Sequence, residues 1–331
     1  MSDGVPSATS QFRQYVEQLE TMGPAALASM MPPSPDVAEL VAHFPELAVV
    51  ERRDVPIDGP HGEVPARVYR ARANGARVSR AGETSGRTGF VWVHGGGFIG
   101  GDLDMAEANW VSMALAARGF AVLSVEYRKA LHGVHYPVPS DDVLAAWSWA
   151  TAHPAEFGAA PGDLHLGGAS AGGNLVAGVT KRLRDGAGEM PMSLVLVYPA
   201  LHAELPAPSD SLRAALAATS GGENTATTGA SILRQLCLQY AGGEEALQDP
   251  YAFPANGDLR GQPPVFILNA EADPLRASGE AYADALRAAG VDVTVELEPG
   301  TSHGHVNEPF TPGAQQSLER IATWLHARAC V

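Results

Sequence analysis

The chain is short of cysteine, of lysine and of long apolar runs, and each shortage removes a class of function. Cys237 and Cys330 are the only cysteines in 331 residues. Two cysteines far apart make neither a disulfide framework nor a zinc-ligand set. Lysine occurs only at Lys129 and Lys181, and acidic residues outnumber Lys and Arg by 37 to 22, for a net charge of -15. A surface of that sign repels phosphate backbones and anionic lipid, so neither nucleic acid nor a membrane is an expected partner. No window nears the roughly 18 consecutive apolar residues of a membrane-spanning helix. Residues Met1 to Ser10 hold neither a basic nor an apolar stretch, so no signal peptide is expected and the expected location is cytoplasmic. With 45% hydrophobic residues, a sizeable core can be buried and disorder is not the default.

What is present centres on Gly168-Ala169-Ser170-Ala171-Gly172. The apolar run before it reads as a buried strand, and Leu175-Val176-Ala177-Gly178-Val179 after it reads as a helix. In a chain with 36 glycines a G-x-S-x-G arises by chance, so its context has to carry it. A strand turning sharply into a helix crowds the residue at the apex, and glycines two before and two after relieve that crowding. The serine hydroxyl is then held out at the sheet edge, beside the positive end of a helix.

Two amphipathic helices come first. Phe12, Tyr15, Val16 and Leu19 share one face over residues 11–22. After Pro32, Pro33 and Pro35, Asp36 caps a helix with Val37, Leu40, Val41 and Phe44 on one face. These helices either pack on the main domain or cover its opening. Strands are expected over 47–55, 64–69 and 90–93, the first ones pairing antiparallel at one edge. Residues 71–89 are an exposed loop whose Arg72, Arg77, Arg80 and Arg87 are solvated. Strands over 121–126, 164–168, 193–198, 265–270 and 291–297 then alternate with helices. These include one marked by Trp110, Met113, Ala114 and Ala117, one starting near Ser140-Asp141, and others over 280–289 and 315–328. Such alternation means an α/β fold, a mostly parallel sheet with helices on both faces. Residues 201–250 interrupt it with a helical insertion around a Gly/Thr/Asn-rich turn.

In open parallel sheets, chemistry collects at the carboxyl ends of the strands. After 90–93 comes His94-Gly95-Gly96-Gly97-Phe98. Three glycines let backbone N–H groups converge without a Cβ in the way, and with the N–H of Ala171 they can hold an oxyanion. Glycine loops also bind phosphate, but no nucleotide motif accompanies this one, and no cofactor is expected. After 265–270 comes Asp273, able to orient an imidazole or to cap a helix ahead of Pro274. After 291–297 come His303 and His305, competing candidates for a base. A His-x-His metal pair lacks a third ligand at metal-like spacing, so no metal is expected. The order Ser170, Asp273, His303 is that of α/β-hydrolases, and the chemistry needs all three. A serine is a weak nucleophile until an imidazole takes its proton, and the carboxylate fixes that imidazole's tautomer.

With these blocks in hand, the sequence closely resembles the hormone-sensitive-lipase-like carboxylesterases, the bacterial group with an H-G-G-G motif. The likeness runs from about Val64 to the end. It includes the glycine triplet, Glu126-Tyr127-Arg128, Tyr136-Pro137, the serine block, Tyr198-Pro199, Asp249-Pro250-Tyr251, Asp273-Pro274-Leu275-Arg276 and His303-Gly304. The resemblance implies an α/β-hydrolase fold and makes His303 the base. It implies an oxyanion hole from Gly96, Gly97 and Ala171. It also implies a helical cap formed by residues 1–46 and the 201–250 insertion, with 47–331 as the catalytic domain. Four departures stand out: Ala169 where Asp or Thr is common, Lys129-Ala130-Leu131-His132 where Leu-Ala-Pro-Glu is usual, Phe253 for a serine, and His305 for a phenylalanine. The implied activity is hydrolysis of short- to medium-chain acyl esters. The alternatives are an acyltransferase, cyclase or lyase on the same fold, or a binding protein derived from it. Trp110, Tyr127, Phe98 and Phe253 are expected to narrow the acyl site. The alternating strand 291–297 is expected to be a sheet edge able to pair with its copy in a homodimer.

Overall fold

Strand–helix repeats bury a sheet on both faces, and the computed structural model has that architecture. It describes residues 8–23, 34–72, 87–219 and 222–329. Its eight strands are β1 (Val50–Ile57), β2 (Val64–Ala71), β3 (Arg87–Val93), β4 (Ala121–Val125), β5 (Ala159–Ala169), β6 (Leu194–Val197), β7 (Val265–Ala272) and β8 (Val293–Ser302). They lie in the order β1-β2-β4-β3-β5-β6-β7-β8. The β1–β2 and β2–β4 pairs are antiparallel, and the remaining pairs are parallel. The antiparallel edge expected at the start of the chain is there, and β8 forms the opposite edge.

Successive strand residues face opposite sides, and β3 shows how this splits the core. Val91 and Val93 join one apolar layer with helices Val138–Ala152, Ala171–Arg182 and Arg276–Ala288. Phe90 and Trp92 join the other, with Ala106–Ala117 and Pro312–His326. Each fully buried side chain of this kind contributes roughly 1.5–3 kcal/mol, so the central strands are the most firmly held part of the molecule.

The two N-terminal helices part company. The first, α1 (Ala8–Glu20), packs Val16 and Leu19 against Leu131 and borders a cavity that also reaches Ser170. The second, α2 (Val37–His43), is capped by Asp36, as expected. The Asp36 side chain accepts from Glu39 N–H while Glu39 accepts from Asp36 N–H. Its Leu40 belongs to the Phe90 layer, and the following Phe44 stacks near Trp110 and Phe310. This helix therefore packs on the body of the fold and not over the cavity.

Four expectations need correction. Residues 87–89 are not loop but the start of β3, and the half-buried Arg87 donates to the Ala71 carbonyl at 2.7 Å instead of pointing into solvent. Residues 47–49 are not strand: Pro45 opens a short 3-10 turn over Pro45–Val49 whose Leu47 is buried. The Gly/Thr/Asn-rich stretch is not a turn but the start of the long helix Gly222–Ala241. The helix read from Ser140 begins at Val138, where Pro139 fits the first turn because its missing N–H is unneeded there. Pro32, Pro33, Arg77, Arg80 and Cys330 lie outside the described residues. No helix among the described residues is long and apolar enough to cross a membrane.

Candidate active site

Strand register alone brings the candidate residues together. In the parallel ladder Ala272 of β7 sits opposite Ser302 of β8, so the next residue on each strand is Asp273 or His303. Val93 of β3 sits opposite Gly168 of β5, which lays the His94-Gly95-Gly96-Gly97 loop beside Ser170.

Ser170 occupies the apex between β5 and the helix Ala171–Arg182, at φ 52° and ψ -117°. A non-glycine residue there is strained by on the order of 1–3 kcal/mol, which the buried strand and helix on either side hold in place. The motif glycines are a steric necessity. A Cβ at Gly172 would lie 2.2 Å from the Val93 carbonyl oxygen, and one at Gly168 would lie 2.6 Å from the Gly172 carbonyl.

Asp273, 1% exposed, directs Oδ2 at His303 Nδ1 at 2.7 Å. His303 Nε2 lies 3.0 Å from Ser170 Oγ. With the proton on Nδ1, Nε2 accepts from the serine hydroxyl. The capping role considered for Asp273 is met in altered form. Its Oδ1 accepts from Leu275 N–H at 2.9 Å, and the helix itself starts at Arg276, not at Pro274. Burial works against a charged His303, but the carboxylates of Asp273 and, after it, Glu107 outweigh burial and raise its pKa above the ordinary value. His305 is directed elsewhere. It is 4% exposed, its Nε2 meets Ser317 Oγ at 2.7 Å, and burial pushes it down to about 4.

The glycine triplet turns beside Ser170. Gly96 and Gly97 have φ of 112° and 61°, a region open to glycine. A Cβ at Gly95 would sit 3.0 Å from Ser170 Cβ, and one at Gly96 only 2.1 Å from the Gly100 carbonyl oxygen. Phe98 also takes a positive φ of 67° and is clamped by stacking on Tyr240 at 4.2 Å. Among the described residues, no protein acceptor takes the N–H of Gly96, Gly97 or Ala171.

Sequence reasoning missed Glu107. It is 2% exposed and accepts from Gly95 N–H, Tyr198 Oη–H and Asn307 Nδ2. Asn307 Oδ1 in turn accepts from Glu107 N–H at 3.1 Å. One carboxylate thus ties the glycine loop, the end of β6 and the histidine loop together. Burial raises its pKa despite those donors. The available signal was a single charged residue in the first turn of a mostly apolar helix.

A cavity of about 920 Å³ opens onto Ser170, His303 and the triplet, walled by Leu275, by Ile232, Leu233 and Leu236, and by Phe12, Tyr15 and Leu19 of α1. Of the four aromatic residues expected to narrow it, only Phe98 is in the lining. Trp110 lies in the Phe90 layer on the far side of the sheet, and Tyr127 and Phe253 are packed in the core. Among the described residues, no cluster of three His, Cys, Asp or Glu could hold a metal ion.

Residues 90–307 match the family described as alpha/beta hydrolase fold. The chain is 34% identical over 285 residues to carboxylesterase NlhH of Mycobacterium tuberculosis, spanning 84% of this chain and 82% of that one. It is 31% identical to ethyl acetate hydrolase of Pseudomonas putida, over 72% and 70% of the two chains. In three dimensions it resembles EstE1, a thermostable carboxylesterase from a metagenomic library, with TM-score 0.72, 27% identity and 98% and 99% coverage. The chain belongs to the α/β-hydrolase-fold family, in its hormone-sensitive-lipase-like carboxylesterase branch.

Proposed function

We propose that this chain is a serine carboxylesterase acting on short- to medium-chain acyl esters. The observation that carries the reading is the unbroken chain from Asp273 through His303 to Ser170 at 2.7 and 3.0 Å, opening on a cavity. Ser170 Oγ attacks the ester carbonyl while His303 Nε2 takes its proton, and Asp273 stabilises the resulting imidazolium. The N–H groups of Gly96, Gly97 and Ala171 receive the oxyanion. His303 then protonates the departing alcohol, and water repeats the sequence to release the acid. The acyl range rests on the name of the related ethyl acetate hydrolase and on Phe98 in the lining. The test is hydrolysis of p-nitrophenyl esters with product analysis. Rates should peak between acetyl and hexanoyl. A steady rise through dodecanoyl would contradict the range, and acyl transfer to an added alcohol in preference to water would contradict hydrolysis.

The cap is part of the same proposal, narrowed to α1 and the insertion helices. The side chains of Arg13 and Glu20 bond to Gln235 and Gln239 of the helix Gly222–Ala241. Deleting residues 1–23 should therefore change chain-length selectivity, whereas removal of α2 as well should also cost stability. Unchanged selectivity in the shorter truncation argues against a cap. Pairing of two copies along the free β8 edge would give a homodimer, which light scattering at micromolar concentration checks. The buried free thiol of Cys237 suits a reducing, cytoplasmic setting, which cell fractionation checks.

A further inference from the structure

Lysine is so scarce in this chain that each one invites a reason. Lys181 donates to the buried carbonyls of Pro254 and Asn256 and ties down a loop. Lys129 borders the cavity on the flank of the glycine loop. Its ammonium has three hydrogens and meets three acceptors: Glu126 Oε1 at 2.7 Å, the Tyr127 carbonyl at 2.8 Å and His94 Nε2 at 3.4 Å. It also sits 4.0 Å from the centre of the Tyr127 ring.

The third contact fixes a proton. A ring nitrogen that accepts from an ammonium carries no hydrogen, so the proton of a neutral His94 is on Nδ1. That nitrogen lies 2.7 Å from the Gly95 carbonyl, which the Tyr127 hydroxyl also reaches at 2.9 Å. The Gly95 carbonyl and the Gly96 N–H belong to one trans peptide plane and point in opposite directions. Two donors on the carbonyl thus turn the Gly96 N–H to the other side of the loop and polarise it.

We propose that Lys129 is a positioning residue for ester hydrolysis: it holds His94 in the Nδ1–H tautomer and thereby aims the Gly95–Gly96 peptide at the oxyanion. The inference rests on the serine-esterase reading above and goes beyond it. Without the ammonium, His94 Nε2 faces the Glu126 carboxylate, whose Oε2 is 3.9 Å away. That carboxylate draws the proton to Nε2 and leaves a lone pair on Nδ1 against the Gly95 carbonyl, which swings away. Burial, reinforced by the Lys129 charge, holds His94 well below its ordinary pKa, so the wild-type ring does not carry both protons.

Nitrogen-15 NMR of the histidine-labelled wild-type protein reads the tautomer directly, and Lys129→Met tests its consequence. Wild-type His94 should be protonated on Nδ1 alone, and in Lys129→Met the proton should appear on Nε2. Removing an oxyanion donor outright costs about 10²–10³ in kcat; mis-aiming one should cost roughly tenfold, with KM changed by less than about twofold. A wild-type His94 protonated on Nε2 overturns the proposal without any variant. So does a Lys129→Met protein with unchanged tautomer or unchanged kcat. Ser170→Ala, run alongside, separates the two levels. If it is inactive while Lys129→Met is normal, only the present inference fails; if it stays active, the esterase reading itself fails.

Discussion

The molecule holds two sets of serine, histidine and aspartate, and they behave as opposites. At the carboxyl ends of the strands stand Ser170, His303 and Asp273. Lower on the same sheet, His165 of β5 bonds Ser193 Oγ through Nδ1 at 2.6 Å and faces Asp163 Oδ1 through Nε2 at 3.5 Å. The serine–histidine distance is shorter in the second set. Yet His165 and Ser193 are fully buried, and neither borders the cavity that opens onto Ser170. The first set has a strained apex, N–H groups beside it that no protein acceptor takes among the described residues, and a histidine that borders the cavity. The difference teaches that the three residue types do not make a site. Strand ends and glycine-shaped space do, and the same trio inside the sheet is a buried polar network.

The largest expected effect breaks the comparison if it fails. Ser170→Ala should lower kcat by about 10⁴-fold or more with the fold intact. Ser193→Ala should leave kcat unchanged and cost about 1 kcal/mol of stability, because the His165 nitrogen loses its partner. Steady-state rates and melting curves on both variants decide. The same contrast applies between neighbours. His303→Ala should lose activity on the scale of Ser170→Ala. His305→Ala should lose stability first, because its tie to Ser317, which in turn reaches Glu298 at 3.3 Å, is cut. The prediction fails if the second variant is the inactive one.

A smaller effect comes from pH. His303 must be neutral to act as base, and its pKa is raised, so kcat/KM should fall as pH drops through a value above 6.5. Stability moves separately. Burial holds His94 and His165 below their ordinary pKa and pushes His202 and His305 to about 4. At these four histidines the unfolded chain binds more protons than the folded one below about pH 6.5, so their contribution to stability should decline as pH falls through that region. His303 and the carboxyls of Glu107, Glu126 and Asp142, all shifted upward, work in the opposite sense. Melting temperatures beside a pH–rate profile should show activity falling first. A simultaneous fall would tie the loss to unfolding.

Much of the fold was legible because strands betray themselves by apolar runs and glycine ends. The serine motif and the triplet are local in sequence, and Ser170, Asp273 and His303 each follow closely on an apolar run, so they stood out as candidates. What could not be read is set by non-local packing. Glu107 looks like a lone charge in a mostly apolar helix until the fold brings Gly95, Tyr198 and Asn307 around it. Trp110 follows a motif in sequence but turns to the opposite side of the sheet, so nearness in sequence misplaced it. The run from Gly222 contains poor helix formers, yet the second half of that helix carries Leu233, Cys237 and Tyr240 into the core, and tertiary burial outweighs propensity.

The central claim is that one serine, at the strained apex, forms the acyl intermediate. The protein, incubated with a p-nitrophenyl phosphonate and digested, should give one labelled peptide by mass spectrometry, the one containing Ser170. Its labelling should vanish in His303→Ala and persist in His305→Ala. Label on Ser193 or on any other residue, or inactivation with Ser170 unmodified, would contradict the account.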